Sequence, residues 1–450
     1  MKNISRILIA NRGEIAVRIL KTCKALGIEA VLAVSEADKK SLPAKMADRV
    51  ICIGPSPPKD SYLKIEYLIS AALGTHSDAI HPGYGFLSED PMLAAACEEN
   101  GLIFIGPSAE TVQQMGNKLQ ARKIAKRCGI NDILGSEKIN DHKEAIMVAE
   151  KIGLPVMIKA AAGGGGRGMT IVKNIEELKA VFDILSTEVR SAFGDGTLFI
   201  ERYFPNSRHI EVQILGDHFG NVIHLGERDC SIQRRYQKII EESPCTVISP
   251  EFREEICNSA VTIAKEIKYD SCGTVEFILD QDANQFYFLE VNTRIQVEHP
   301  VTEQISGVDI IEEQIRSAAL EPLRISQEEV TLTGHAIECR INAESSDGSF
   351  QPSPGRIQKW VPPRGPGIRV DTHCDDGYLI PPFYDSLIAK LITTGSDRLQ
   401  AINRMQSALE SFSVTGVDTT IPFLRVVLKH PDYVRSNINT RWLEGVFFKN

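Results

Sequence analysis

Two glutamates carry the sharpest chemical signal in the sequence. They lie within Gly273 to Glu303, GTVEFILDQDANQFYFLEVNTRIQVEHPVTE, on two apolar runs joined by the turn-forming string Asp280 to Gln285. Strand alternation places Glu276 on the face of Thr274 and Ile278, and Glu290 on the face of Phe286, Phe288 and Asn292. A hairpin that brings Glu276 opposite Glu290 sets two carboxylates among aromatic and branched side chains, where unpaired anions are costly. A hard cation relieves that cost. Mg²⁺ suits the pair because it takes one or two protein carboxylates and completes its octahedron with phosphate oxygens and water. The chemistry implied is that of a nucleoside triphosphate.

A second stretch points the same way. Leu154 to Val172, LPVMIKAAAGGGGRGMTIV, contains a literal G-x-G-x-x-G at Gly163, Gly165 and Gly168. The glycines lead into a strand, Met169 to Val172, whereas a dinucleotide loop must open a helix. No Gly-Lys-Ser/Thr closes the run, so it is not a Walker A loop either. Strand, glycine-rich loop and strand make a flexible hairpin whose bare amides can approach phosphates, with Lys159 on the entering strand as a point charge. Such a loop should act as a lid. Further basic residues are Lys118 on a connecting helical segment, and Arg228, Arg234, Arg235 and Lys238 in the loop ERDCSIQRRYQKIIEE, a candidate anion pocket. Farther on, GHAIECRINAES sets Glu338 and Arg340 on one face of a strand, opposite Ile337, Cys339 and Ile341.

The elements that must position these residues read as follows. Arg6 to Ala10, the helical spacing of Ile15, Ile19, Cys23 and Leu26, and the strand Ala30 to Val34 form a β-α-β opening of a parallel, Rossmann-like sheet. Its first turn, Asn11-Arg12-Gly13, lacks the phosphate fingerprint, so this domain is expected to be a scaffold. It continues through a helix at Ile65 to Leu73, a strand at Asp78 to Ile80, the turn-rich HPGYGFLSED and a strand at Ile103 to Ile105. A helical segment spans Ser108 to Cys128. Beyond the lid, a helix at Ile175 to Phe193, the strand TLFIERYF and a hairpin turning at Gly216 to Asn221 lead to the carboxylate hairpin. A helix near Asp309 to Ala319 comes next. The Pro- and Gly-rich run Gln351 to Gly367 is loop and turn. The last hundred or so residues add the strand DSLIAKLITTG and a helix whose Ala401, Met405, Ala408 and Phe412 share a face. There is no internal repeat or low-complexity segment.

At 450 residues the chain should hold about two to four domains. With 43% hydrophobic and 24% charged residues its composition is that of a globular protein. A net charge of -9 argues against broad nucleic-acid binding. The ten cysteines are scattered singly without a C-x-x-C, which argues against zinc and iron-sulfur sites and for a reducing compartment. The N-terminal apolar run is broken by Asn11, Arg12 and Glu14, so neither a signal peptide nor a membrane span is expected and the cytoplasm is the expected location.

The unglycined Rossmann-like opening, the glycine-rich hairpin after a lysine and the facing carboxylates resemble the ATP-grasp superfamily. Within it, ANRGEIA at Ala10 to Ala16, HPGYGFLSE at His81 to Glu89, GGGGRGM at Gly163 to Met169, ERDCSIQRR at Glu227 to Arg235 and EVNTRIQVEHPVTE at Glu290 to Glu303 resemble the biotin carboxylase family over essentially the whole chain. The resemblance implies an α/β fold divided into an N-terminal Rossmann-like domain (1–115), a linker and glycine-rich lid (116–204) and the second ATP-grasp half with a C-terminal α+β domain (205–450). It implies ATP held by Lys118, Lys159, Gly163, Gly164, Gly165, Gly166, Gly168, Met169, Glu201, Arg202, Phe204, His209, Gln233, Tyr236, Glu276, Ile278 and Glu290. Mg²⁺ or Mn²⁺ would sit on Glu276, Glu290 and Asn292. Bicarbonate would sit on Lys238, Arg294, Gln296, Val297 and Arg340, with Glu298 as general base and Arg340 stabilising the biotin enolate.

Two departures stand out. Tyr236 occupies a position where the family often has histidine, and Asp132 to Gly135 replaces a more usual proline-containing turn. No Ala/Val-Met-Lys-Met biotin attachment signal occurs. The expected carboxyl acceptor is therefore biotin on a separate carrier protein, with a separate carboxyltransferase subunit, and the resemblance implies a homodimer. A same-fold alternative is an ATP-grasp ligase that activates another carboxylate. A different class of alternative is a nucleotide-binding module without catalysis.

Overall fold

The strand Arg6–Ile9 forms the centre of a five-stranded parallel sheet, ordered Arg49–Gly54, Glu29–Ser35, Arg6–Ile9, Ala79–His81, Ile103–Phe104. The computed structural model describes residues 2–160, 168–193 and 196–448. Helix Gly13–Leu26 buries Ile15, Ile19 and Cys23 against this sheet and stops at Gly27, whose φ of 69° needs no Cβ. The turn before the helix is sealed rather than open to a phosphate. The Asn11 side-chain amide donates to the carbonyls of Pro82 (2.6 Å) and Tyr84 (2.8 Å), tying the first motif to the His81–Glu89 stretch.

The expected helix from Ser108 to Cys128 is two helices, Ala109–Gly116 and Lys118–Arg127. Asn117 breaks it. Its extended backbone turns the chain, and its side chain caps the second helix by accepting from the Gln120 amide at 3.1 Å. The Asp132 to Gly135 stretch then bridges to Phe288 and Glu201, with Asp132 held by Arg122 at 2.8 Å.

A three-stranded antiparallel sheet follows, ordered Met169–Val172, Val156–Ala160, Leu198–Arg202, with helices His142–Ile152 and Ile175–Phe193 sharing its core of Ile158, Val172, Leu178, Phe182 and Ile200. The four consecutive glycines, Gly163 to Gly166, lie outside the described residues. Gly168 has φ of 71°, and its carbonyl accepts from the Ala160 amide at 2.8 Å.

The largest element is an eight-stranded antiparallel sheet. Its order is Gln285–Asn292, Cys272–Asp280, Ser207–Gly216, Val222–Arg234, Gln237–Ser243, His335–Asn342, Leu387–Gly395, Ile368–Thr372. Helix Pro250–Glu266 packs on the Ser207–Gly216 end, while Arg398–Ser411 and Ile421–Lys429 cover the other. The charged run expected as a loop is instead two strands, Val222–Arg234 and Gln237–Ser243, joined by a tight turn at Arg235 and Tyr236. Both turn residues have positive φ, 48° and 65°, as a hairpin twisting with its strands requires. The register of Val222–Arg234 shifts between His224 and Glu227 against one neighbour, and again between Asp229 and Gln233 against the other. Gln351 to Gly367 also differs from expectation, since Gly355–Arg356 and Lys359–Val361 pair with Leu379–Ile380 and Ser413–Thr415. Among the described residues no helix is long and apolar enough to cross a membrane.

Candidate active site

The carboxylate hairpin is built by a bulge that simple alternation does not foresee. Phe277 pairs with Phe288, but Glu276 pairs with Glu290, so Leu289 is the extra residue. The face expected for Glu290 is corrected accordingly. Phe286 and Phe288 turn into the core with Phe277, and Glu290 joins Glu276 on the opposite face, with Asn292 beside Thr274. Inward aromatics and outward carboxylates are thus reconciled by one inserted residue.

Glu276 receives Gln296 Nε2 at 2.8 Å and Lys238 Nζ at 3.0 Å, and His209 Nε2 lies 2.9 Å from its other oxygen. Burial works to raise its pKa, yet Lys238 and His209 hold it well below the usual carboxylate range. Glu290 is raised, by enclosure first and by the charge of Glu276 second, with Lys118 opposing from 4.0 Å. An ionised Glu276 that pushes up the pKa of the Glu290 facing it makes a donor pair that a divalent cation would relieve. His209, Glu211 and Glu276 also bring three ligand atoms within 4.8 Å. Glu211, however, is committed to Arg228 and Lys238, both at 2.5 Å, so the cation-facing donors are Glu276 and Glu290.

Lys238 is the hub of the site, reaching Glu211, Glu276 (3.0 Å) and Glu298 (2.6 Å). On its far side Glu298 receives Arg340 Nη2 at 3.0 Å, and Arg340 Nε donates to Glu241 at 2.5 Å. Burial works to raise the Glu298 pKa, but Lys238, Arg340 and Arg228 outweigh it and hold the group well below its ordinary range. Arg294 donates to Glu89 (2.8 Å) and to Asn292 Oδ1 (3.0 Å), so it stands at the seam between the N-terminal sheet and the exit loop of the hairpin. The Val297 carbonyl accepts from Lys390 Nζ at 2.8 Å, and that fully buried lysine also pairs with Glu14 at 3.0 Å.

At the lid end, Lys159 is ion-paired with Glu201, which Arg122 also meets at 3.1 Å. The Arg202 guanidinium lies 5.1 Å from the Phe204 ring centroid, and Phe204 stacks on Tyr287 with centroids 4.8 Å apart. Gln233 Nε2 lies 2.9 Å from His209 Nδ1.

One cavity of about 1240 Å³ joins these groups. Lys118, Lys159, Met169, Glu201, Arg202, Phe204, His209, Gln233, Tyr236, Lys238, Glu276, Ile278, Glu290, Asn292, Arg294, Gln296, Val297, Glu298 and Arg340 all line it. Gly168 is not in that lining, and its place is the hairpin turn. Of the basic run, Lys238 alone lines the cavity. Arg228 is fully buried and holds Glu211, Gln213, Thr274, Gln296 and Thr302, while Arg234 lies over the Phe350 ring at 4.0 Å. Sequence reasoning missed the partners Glu89, Glu211 and Glu241. Glu211 had one usable signal, since HIEVQ alternates and sets Glu211 on the face of His209.

Known proteins resemble this chain over nearly its whole length. Residues 3–112 match the family described as "Biotin carboxylase, N-terminal domain", 117–326 "Carbamoyl-phosphate synthase L chain, ATP binding domain", and 338–445 "Biotin carboxylase C-terminal domain". Biotin carboxylase 1 of Bacillus subtilis is 50% identical over 442 residues, covering 98% of each chain. A pyruvate carboxylase subunit of Methanothermobacter thermautotrophicus is 47% identical over 441 residues, 98% of this chain and 89% of that one. Among solved structures, the biotin carboxylase domain dimer of Hydrogenobacter thermophilus 2-oxoglutarate carboxylase, in complex with MgADP, ADP and bicarbonate, superposes with a TM-score of 0.96. It shows 48% identity and covers 99% of this chain and 98% of that one.

Proposed function

The chain belongs to the biotin carboxylase family, and we propose that its cavity activates bicarbonate at the Glu276–Glu290 end and passes the carboxyl group to biotin at the Arg340 end. It is an ATP-dependent ligase that carboxylates biotin with bicarbonate, giving ADP and phosphate. The observation that carries the residue assignments is the position of Glu298, gripped from one side by Lys238 at 2.6 Å and from the other by Arg340 at 3.0 Å. A base between the two halves of the cavity can serve both.

ATP lies along the lid wall, its adenine against Glu201, Arg202 and Phe204, with His209, Gln233 and Tyr236 near the nucleotide. Lys118 and Lys159 meet the phosphates. Glu276 and Glu290, with Asn292 beside them, would hold Mg²⁺ or Mn²⁺, which when bound neutralises charge on the transferring phosphoryl group. Bicarbonate sits on Arg294, Gln296, the Val297 backbone and Lys238. Glu298 takes its proton as the bicarbonate oxygen attacks the γ-phosphorus and ADP leaves. The carboxyphosphate formed is an unstable mixed anhydride that must be kept from water. Its carboxyl group goes to the biotin ureido nitrogen, whose proton leaves with the phosphate. The Arg340 guanidinium stabilises the charge that develops on the ureido oxygen.

The functional units are 1–115, 116–204 and 205–450. Biotin arrives on a separate carboxyl carrier protein, and a carboxyltransferase subunit uses the product. The similarity to the Methanothermobacter pyruvate carboxylase subunit supports this, and the dimeric Hydrogenobacter domain supports a homodimer. The setting is cytoplasmic. The test is ADP formation by the purified chain. It should require bicarbonate and rise with free biotin, and absence of both dependences would refute the reading.

A further inference from the structure

Behind Arg340 lies a row of charged groups that the reaction does not touch. In the sheet, Glu241 pairs directly with Glu338 on the next strand, and Arg340 pairs with Lys390 on the strand after that. Glu241 and Glu338 are fully buried. Among the described residues, neither oxygen of Glu338 has a hydrogen-bond partner, and nor does Glu241 Oε2. The cations around them are committed elsewhere. Arg340 is shared between Glu241 and Glu298, and Lys390 between Glu14 and the Val297 carbonyl. Lys238 serves Glu211, Glu276 and Glu298, while Arg369, beyond Lys390, serves Asp371 and Glu303. His299, on the helix that packs over this face, is held neutral by burial and by Lys390, Arg18 and Arg369. Glu338 therefore has no counter-ion of its own.

We propose that Glu241 and Glu338 form a shared-proton pair in which protonated Glu338 donates to Glu241 Oε2, so that Glu241 stays ionised and holds Arg340 for biotin instead of leaving it on Glu298. One proton satisfies the orphaned oxygens on both sides, and two ionised carboxylates opposite each other without a cation between them are not a stable buried arrangement. Burial first, and then Glu241 and Glu298, raise Glu338 well above its ordinary value against the pull of Lys390 and Arg340. Glu241 is pushed up to about 7 by burial and by Glu298, against the pull of Arg340 and Lys238. When the pair takes a second proton in acid, Glu241 loses its charge, Arg340 turns wholly to Glu298, and both base and biotin site are locked. Glu338 and Glu241 are positioning residues, acting through Arg340.

The inference rests on the assignment of Arg340 to biotin, so the experiment has two arms on the intact protein. Infrared difference spectra of wild type should show a protonated-carboxyl carbonyl band above about pH 7 that Glu338→Gln removes. The biotin-stimulated rate of wild type should fall as pH drops below about 7, by about tenfold per unit. Glu338→Gln, whose amide donates to Glu241 as the protonated carboxyl does, should keep that acid limb within about half a unit, whereas Glu338→Leu, which donates nothing, should move it up by at least about one unit. Glu241→Gln should lose most of the biotin stimulation at every pH. Absence of the band, or an acid limb unmoved in Glu338→Leu, overturns the shared proton. Biotin stimulation that survives Arg340→Ala overturns the biotin assignment instead. Absence of the band from the wild-type spectrum overturns the proposal even if a variant fails to fold.

Discussion

Replacing Glu298 with glutamine is the most informative single perturbation of the site. In the resting structure the carboxylate lies 2.6 Å from Lys238 Nζ and 3.0 Å from Arg340 Nη2. At an effective dielectric of about 20 each contact is worth roughly 5 to 6 kcal/mol of Coulomb energy before desolvation is subtracted. Burial opposes this, yet the net direction is a strongly depressed pKa. A base held that low is weak, so substrate binding must draw Lys238 or Arg340 away before Glu298 can accept the bicarbonate proton. Glutamine keeps the size of the side chain and removes the basicity. Loss of a general base should lower bicarbonate-dependent ADP formation by about 10² to 10⁴, or roughly 3 to 5.5 kcal/mol in the barrier. MgATP affinity, measured by calorimetry without bicarbonate, should stay within about threefold, since Glu298 lies on the far side of Lys238 from the Glu276–Glu290 pair. A variant that still releases ADP within about threefold of the wild-type rate would refute Glu298 as base. The same substitution alters acid stability. A carboxylate with a depressed pKa contributes stability above its ordinary range and loses it as pH falls below, so unfolding of the variant should be less steeply pH-dependent on the acid side than that of wild type.

Other expectations are narrower. Arg228→Met leaves Glu211 buried without its guanidinium partner and should cost about 3 to 5 kcal/mol, read as a lowered thermal midpoint. Glu290→Gln removes one of two facing carboxylates and should raise the Mg²⁺ concentration needed for half-maximal activity by about 10- to 100-fold, measured by metal titration at fixed ATP. Glu89→Gln cuts the 2.8 Å pair that orients Arg294 and should raise the KM for bicarbonate more than it changes kcat.

Local chemistry was readable wherever neighbours in sequence decide the outcome. The Ile175–Phe193 helix, the strands flanking the lid and the Glu276–Glu290 facing pair come from periodicity and turn residues close at hand. What was not readable depends on contacts or on single-residue irregularities. Nothing in QFYFLEVN announces that Leu289 is extra, because alternation describes an ideal pleat and a bulge departs from it by one residue. Arg235 and Tyr236 adopt left-handed conformations without glycine or asparagine, so the turn carried no composition signal and the run looked like a loop. Asn117 interrupts a run whose propensity is helical throughout, and its effect is visible only through its cap on Gln120. The partners Glu89 and Glu241 stand 205 and 99 residues from Arg294 and Arg340, separations at which pattern reasoning has no purchase.

The register shifts in Val222–Arg234 bear on how the two substrates come to meet. Lys238 and Glu276 lie on strands three steps apart in the sheet, a flat spacing of roughly 14 Å, and side chains standing perpendicular to a flat sheet do not close such a gap. Their 3.0 Å contact therefore requires the sheet to curl, and the strand with the shifted register lies between them. The reaction centre is in this sense the focus of a concave mirror, formed by the curvature of the whole surface. A substitution within that shifted strand, at Gly226 for instance, where an added Cβ would meet Leu332 at 2.5 Å, can defocus the chemistry while every residue in the cavity stays as it was.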